Sequence, residues 1–338
     1  MIYRLPLLCP SALAGPDMPP LRGQRALRIS AIQDLARDAP PRLRAFDAVR
    51  DADLLRPLPP LCGLALDRPL IMGILNVTPD SFSDGGQFAE APTAMAQARH
   101  MVEKGADLLD IGGESTRPGA QDVPVADEIA RTAPLIRALR DEGVRVPISI
   151  DTRKAAVARA ALEAGADMVN DVSALSWDCD MALLVAEAGV PLCLMHAQGT
   201  PQTMQKNPHY EDVKLDVREW LDNAVMRAEA AGINRNRLII DPGIGFGKTC
   251  AHNLALLRSL GLLHEIGCAI LLGASRKRFI GTLTGVDAAR DRVAGSLAVA
   301  LQGAAQGAQI LRVHDVGETR QALQMWLALN IKENGAVA

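Results

Sequence analysis

The sequence predicts an α/β fold, a (β/α)8 barrel of the TIM-barrel class, behind an N-terminal extension. Three observations predict it. From Pro69 onward a helical stretch ends in glycine, an apolar strand follows, and a polar residue closes the strand. The strands are apolar throughout instead of alternating, which marks a parallel sheet buried on both faces. Counting these segments gives eight strand–helix units, the number that closes a barrel.

The elements follow in chain order. Residues 1–66 form the extension, with ten of the 21 prolines among arginines and leucines. A short helix is expected over Ile32–Arg37, and the segment is expected to meander over part of the barrel. Residues 67–338 form the barrel itself. Its first strand runs from Leu70 to Leu75 and closes on Asn76. Later strands follow Gly105, Gly143, Gly165, Gly189, Gly232, Gly267 and Gly307, closing on Asp110, Asp151, Asn170, His196, Asp241, Ser275 and Arg312. Glycine is the residue that takes the left-handed position ending a helix. Between strands the spacing turns helical, as at Met95, Ala98 and Val102 and over Asp216–Ala230. A doubly wound open sheet is the alternative. It calls for a glycine-rich dinucleotide turn after the first strand, where this chain has Asn76-Val77-Thr78-Pro79.

Composition excludes several classes. The chain has 338 residues, 49% apolar, with a net charge of −3 and 3% aromatics. A nucleic-acid surface needs a positive excess and stacking platforms, so no nucleic-acid partner is expected. Six scattered cysteines lack a C-x-x-C pair, and no apolar run is long enough for a membrane span. A cytoplasmic protein without membrane association is the expectation.

In such barrels the chemistry sits at the C-terminal strand ends. Here those ends read Asn76, Asp110, Asp151, Asn170, His196, Asp241, Ser275-Arg276-Lys277, Arg312 and His314. One strand-ending Asp is commonly a helix cap; a whole ring of polar residues points to a site for a small anionic substrate. Two loops, Thr78–Gly86, rich in Gly, Ser and Asp, and Gly112–Gly119, rich in Gly, are placed to close over it. Asp241-Pro242-Gly243-Ile244-Gly245-Phe246-Gly247-Lys248 lacks the spacing of a phosphate loop. A tight turn bringing backbone to a ligand held by Asp241 is expected there, with Lys248 a solvated helix-start residue. Arg312 and His314 share one face of the last strand end and suit phosphate oxygens; an ion pair between Arg312 and a barrel carboxylate is the alternative.

Eight stretches, in order and one per strand end, resemble the dihydropteroate synthase family. They include Gly73–Gly86 (GILNVTPDSFSDGG), Gly112–Gly119 (GGESTRPG), Ser149–Thr152, Asn170–Val172, Leu194–His196, Asp241–Lys248, Ser275–Lys277 and Arg312–Asp315. The resemblance implies condensation of 6-hydroxymethyl-7,8-dihydropterin diphosphate with p-aminobenzoate, giving 7,8-dihydropteroate and diphosphate. It implies a transferase of folate biosynthesis, a sulfonamide target, that uses Mg2+ and forms a homodimer. On the matching positions it implies that Asp241, Asn170, Asp151 and Lys277 hold the pterin and that Arg312 and His314 bind diphosphate. It further implies that Asn76 helps hold Mg2+ and that Asp84, Thr116 and Arg117 build the p-aminobenzoate site. Asp84, Thr116, Arg117 and Asp151 are the catalytic candidates of this reading, in an SN1-like substitution. Two positions depart from the family's usual pattern: Ala197 follows the histidine of the fifth strand, where methionine is common, and Arg278 follows Lys277, where some members have serine.

Other classes remain alternatives. A methyltetrahydrofolate-dependent corrinoid methyltransferase also binds a pterin in a barrel but has no use for the Arg312/His314 pair. A Schiff-base aldolase would use Lys277, and a non-catalytic pterin-binding protein would not need the two loops.

Overall fold

The computed structural model describes residues 1–77, 87–115, 121–199 and 202–332, with backbone alone for 87–91. Three antiparallel strands come first: β1 (Tyr3–Pro10), β2 (Leu27–Ala36) and β3 (Ala39–Arg44), in the order β1-β2-β3. Eight parallel strands then close a barrel. They are β4 (Leu70–Asn76), β5 (Leu108–Gly112), β6 (Ile148–Asp151), β7 (Met168–Asp171), β8 (Leu192–Met195), β9 (Leu238–Asp241), β10 (Ala269–Leu272) and β11 (Ile310–Val313), each hydrogen-bonded to its sequence neighbours, with β11 returning to β4. The helices between and after them are α1 (Gln87–Glu103), α2 (Val125–Asp141), α3 (Ala155–Ala164), α4 (Asp180–Ala188), α5 (Val213–Ala230), α6 (Cys250–Arg258), α7 (Arg278–Thr284), α8 (Val293–Ala305) and α9 (Val316–Asn330).

The seven strand-preceding glycines all carry positive φ, from 64° at Gly189 to 111° at Gly165. The repeat seen in the sequence is therefore a repeat of helix stops. The strands bury both faces, and the faces differ. Ile71, Leu75, Leu109, Ile111, Ile150, Val169, Ile240 and Leu311 pack outward against the helices. Leu70, Met72, Leu108, Met168, Cys193, Ile239, Leu271 and Ile310 point inward at the N-terminal end of the barrel. Leu61 and Leu66, from the last part of the extension, seal that apolar floor.

The expected helix over Ile32–Arg37 is a strand instead: residues up to Ala36 belong to β2, with Tyr3↔Leu35 and Pro6↔Ile32 paired across to β1. The reason lies in the bulge at the Leu7/Leu8 step, where Leu7 faces Ala31 but Leu8 faces Ile29, leaving Ser30 as the extra residue. A bulge resets the two-residue period. Ile29 and Ile32 thus share one face, packed with Leu21 and Leu54, at a spacing that imitates a helix. Leu35 faces the other way, with Tyr3 and Leu5 against Leu215 and Leu262 of the barrel wall. Ordered sheet, not a meander, covers this flank. Among the described residues, no helix is long and apolar enough to cross a membrane.

Candidate active site

Along the barrel interior, side chains change from apolar to polar toward the strands' C-terminal ends, because the inward parity of each strand continues to its tip. On β5 it passes from Leu108 to Asp110, on β6 from Ser149 to Asp151, on β7 from Met168 to Asn170, on β9 from Ile239 to Asp241, and on β11 from Ile310 to Arg312. All of these sit in a barrel whose walls exclude water, so each charge needs a partner.

Arg312 is the hub. Its Nε donates to Asp110 Oδ2 at 2.6 Å and its Nη2 to Asp151 Oδ2 at 2.6 Å. Asn170 Nδ2 donates to the same Asp110 oxygen at 3.2 Å. The ion-pair alternative for Arg312 is thus what this structure contains. A guanidinium has five N–H groups, and these two bonds use only part of its capacity. Asp110 Oδ1, Asp151 Oδ1 and the neighbouring Ser149 Oγ are buried and accept no hydrogen bond from the described residues. Unsatisfied buried oxygens at a strand-end mouth are what a polar ligand would satisfy.

Asp241 stands across from Arg312. Its Oδ1 accepts the Gly243 N–H at 2.7 Å, and its Oδ2 lies on the side of Gly273. Between them lies Gly273, where a methyl group would sit 3.5 Å from Asp241 Oδ2 and 3.8 Å from Arg312 Cδ. The missing side chain keeps open a gap flanked by carboxylate and guanidinium. Lys277 Nζ donates to the Ile244 carbonyl and lies 4.5 Å from the Phe246 ring centroid. Asn76 and Asp151 flank Gly112 in the same way as Asp241 and Arg312 flank Gly273, with Asn76 Oδ1 3.8 Å and Asp151 Cβ 3.3 Å from where a methyl group would be. His314 closes the set at one side, its Nδ1 3.0 Å from Ser275 Oγ.

The electrostatics follow from burial. It raises the Asp151 carboxyl, with the Arg312 charge opposing and Asp110 reinforcing. Burial likewise raises Asp241, against the pull of Lys277, the Gly243 N–H and Arg312. Lys277 is pushed down to about 8 by burial, with Asp241 opposing. For Arg312 burial works against the charge, but Asp110 and Asp151 more than offset it and its pKa is raised. Perturbed groups concentrated at one mouth mark a functional site.

Thus Asn76, Asp151, Asn170, Asp241, Lys277, Arg312 and His314 are all placed at the C-terminal strand ends. Asp84, Thr116 and Arg117 lie outside the described residues. One expectation is corrected. Lys248 is not solvated: it is 3% exposed, and its Nζ meets His196 Nδ1 at 2.8 Å and the Phe246 carbonyl at 2.9 Å. Burial pulls its pKa well down, helped by Lys277. Local sequence marks a helix start there, but the approach of β8's loop buries it. The glycine turn is tight, as expected. Gly243, at φ 64°, is pressed against the His196 carbonyl, and a Cβ on Gly247 would lie 2.6 Å from the Gln198 carbonyl. That turn packs on the loop after β8. His196 itself is buried behind the site, edge-on to Trp220 at 4.9 Å, its pKa pulled well down by burial and then by Lys248. Asp110 was visible as a strand end but was given no role by sequence reasoning. Its two-residue spacing from Gly112, the inward parity, was the available signal.

The barrel and its polar mouth define a class: a (β/α)8-barrel enzyme scaffold with its charged groups gathered at the C-terminal strand ends. The chain belongs to the pterin binding enzyme family, whose pattern matches residues 72–314. Within it, the chain is similar to dihydropteroate synthases. The one from Neisseria meningitidis serogroup B is 50% identical over 273 residues, covering 79% of this chain and 95% of that protein. That of Escherichia coli is 46% identical over 272 residues, covering 80% and 95%. The Xanthomonas albilineans dihydropteroate synthase solved with 4-aminobenzoic acid superposes with a TM-score of 0.76 at 50% identity, covering 80% of this chain and 98% of that one. The same organism's enzyme in complex with 7,8-dihydropteroate gives 0.72 at 48% identity, covering 79% and 95%.

Proposed function

We infer that this chain acts as a dihydropteroate synthase, joining p-aminobenzoate to 6-hydroxymethyl-7,8-dihydropterin diphosphate with release of diphosphate. The observation that carries this is the gap at Gly273, with the buried Asp241 carboxylate on one side and Arg312 on the other. A carboxylate oxygen facing inward is an acceptor for the paired N–H donors of an aminopyrimidinone edge. Asn170 and Asp151 meet the rest of the ring, and Lys277 reaches it from the β10 side.

The chemistry is a substitution at the exocyclic methylene. The C–O bond to diphosphate breaks with its electron pair on oxygen, and the p-aminobenzoate nitrogen forms the new C–N bond and loses one proton. Arg312 keeps N–H groups beyond those given to Asp110 and Asp151, and with His314 it meets charge developing on the leaving oxygens. Asp110, Asp151 and Asp241 against Lys277 and Arg312 give the pocket a surplus of carboxylates. That surplus favours positive charge spreading from the methylene into the pterin. The arylamine is already nucleophilic, so no strong base is required.

Asn76 offers a neutral hard oxygen, and no carboxylate cage surrounds it among the described residues; the one acidic cluster of metal-ligand spacing there is Asp178, Cys179 and Asp180, on the surface. Mg2+ takes oxygen ligands, few of them from protein and the rest from water and phosphate oxygens, and the Asn76 amide oxygen would be one of them. When bound, the ion would neutralise charge on the diphosphate. Asp84, Thr116 and Arg117 are proposed to complete the p-aminobenzoate site. The Yersinia pestis dihydropteroate synthase, 46% identical to this chain, was solved as a sulfonamide drug complex; competition by a sulfonamide is proposed here. Six free cysteines support a cytoplasmic setting. A homodimer through the barrel helices is proposed with it.

The test is direct. Purified protein with Mg2+, pterin diphosphate and p-aminobenzoate should yield 7,8-dihydropteroate and diphosphate in equal amounts. Absence of p-aminobenzoate consumption would overturn the assignment.

A further inference from the structure

Beside the active site, four charged side chains are buried together and take no part in the reaction as derived. Glu114 lies two residues past β5, Arg153 and Lys154 two and three past Asp151, and Glu128 in the first turn of α2. Their side chains are 4%, 8%, 9% and 0% exposed. Lys154 Nζ bridges Glu114 Oε1 at 2.9 Å and Glu128 Oε2 at 2.6 Å. Arg153 Nε meets Glu114 Oε2 at 3.1 Å, its Nη2 meets Asp122 Oδ1 at 2.6 Å, and its guanidinium lies 3.7 Å from the Trp177 ring centroid.

The backbone of Val123 is gripped from both sides. Its N–H donates to Glu114 Oε1 at 2.8 Å, and its carbonyl accepts from Lys154 Nζ at 2.7 Å. Glu114 precedes the stretch 115–121 and Val123 follows it, so the cluster ties the residues on either side of that stretch together. Burial alone would lift the Glu114 carboxyl, yet the Val123 N–H, Lys154 and Arg153 hold it below the usual range. Buried ion pairs of this kind are commonly no more stabilising than apolar replacements of equal volume. Stability alone is therefore a poor account of four buried charges; fixed register is a better one.

We propose that Arg153 and Lys154 are positioning residues that hold Glu114 and Val123 at a set distance from Asp151, and that p-aminobenzoate binding depends on this while pterin binding does not. The proposal rests on the assignment of Thr116 and Arg117 to p-aminobenzoate. It separates the two substrates because Asp241, Asn170 and Lys277 touch none of the cluster, and Asp151, the pterin contact two residues before Arg153, makes its ion pair with Arg312 and none with the cluster.

The test uses the full-length enzyme with Mg2+. Lys154→Met raises KM for p-aminobenzoate about tenfold or more while the calorimetric Kd for pterin diphosphate stays within about twofold. Lys154→Arg, which keeps charge and donors, restores most of the KM. Hydrogen exchange at the Val123 amide speeds up in Lys154→Met. Should that variant not fold, Glu114→Gln carries the same comparison. KM and Kd rising together, or an unchanged KM with faster Val123 exchange, overturns the proposal alone. A wild-type chain that binds pterin diphosphate but never uses p-aminobenzoate overturns the assigned reaction and the proposal with it.

Discussion

Replacing Asp241 by Asn tests the site where its geometry is most explicit. The substitution keeps the side-chain shape and an oxygen for the Gly243 N–H now 2.7 Å from Oδ1. The other position becomes an NH2 group aimed where Oδ2 faces the gap at Gly273. Two donors of a pterin edge would then meet a donor, losing charge-assisted bonds at a buried site. A hydrogen bond to a buried charged group contributes about 1.5–3 kcal/mol, so a loss of about 2–3 kcal/mol is expected. That corresponds to a Kd raised about 30- to 150-fold. The measurement is calorimetric titration of pterin diphosphate into the Mg2+-containing protein. Folding is checked separately. Burial raises the Asp241 pKa, so its contribution to stability is fully present below its unfolded pKa and is lost as pH rises through the folded one. A neutral Asn therefore leaves the thermal midpoint at neutral pH unchanged or higher. An unchanged Kd, with the fold intact, would refute the role given to Asp241.

Three further outcomes follow from the same geometry. Gly273→Ala adds a methyl at ordinary contact distance from Asp241 and Arg312, so the thermal midpoint holds while pterin diphosphate affinity falls about tenfold or more; normal affinity would mean that the ligand does not occupy this gap. Lys277, lowered to about 8 from 10.5, should give kcat/KM for the pterin a falling limb near that pH, and Lys277→Arg should move the limb to higher pH. Its folded pKa lies below the unfolded one, so its contribution to stability is fully present above 10.5 and lost as pH falls through about 8; the activity loss on the alkaline side is thus not unfolding caused by this group. Leu61→Ala opens the barrel floor and should cost about 2–4 kcal/mol in denaturant unfolding, with little change in KM.

Much of this molecule was legible because its signals are local. A helix must stop before a buried strand can begin, and Gly105, Gly165 and Gly307 mark such stops whatever the rest of the chain does. Strand-end residues such as Asp151, Asn170 and Asp241 were equally legible, since in a closed parallel barrel every strand delivers its last side chains to the same mouth. The strand at Ile32 was not, because a bulge at Ser30 reproduces a helical spacing and only pairing with β1, more than twenty residues away, distinguishes the two. Lys248 was misread for a related reason: it looks like a surface helix start until the loop carrying His196 folds over it.

The one-dimensional pattern by itself determined the barrel, the identity of the residues at its mouth and the kind of ligand they suit, because burial periodicity and turn chemistry act over a few residues. Contacts between residues far apart in the chain were decided by tertiary structure alone. Arg312 pairs with Asp110 and Asp151 across the barrel, Gly273 leaves its gap between Asp241 and Arg312, and Glu114 meets Lys154 beside the site. Such contacts depend on where closure of the sheet brings distant side chains, and electrostatic partners are chosen by distance in space.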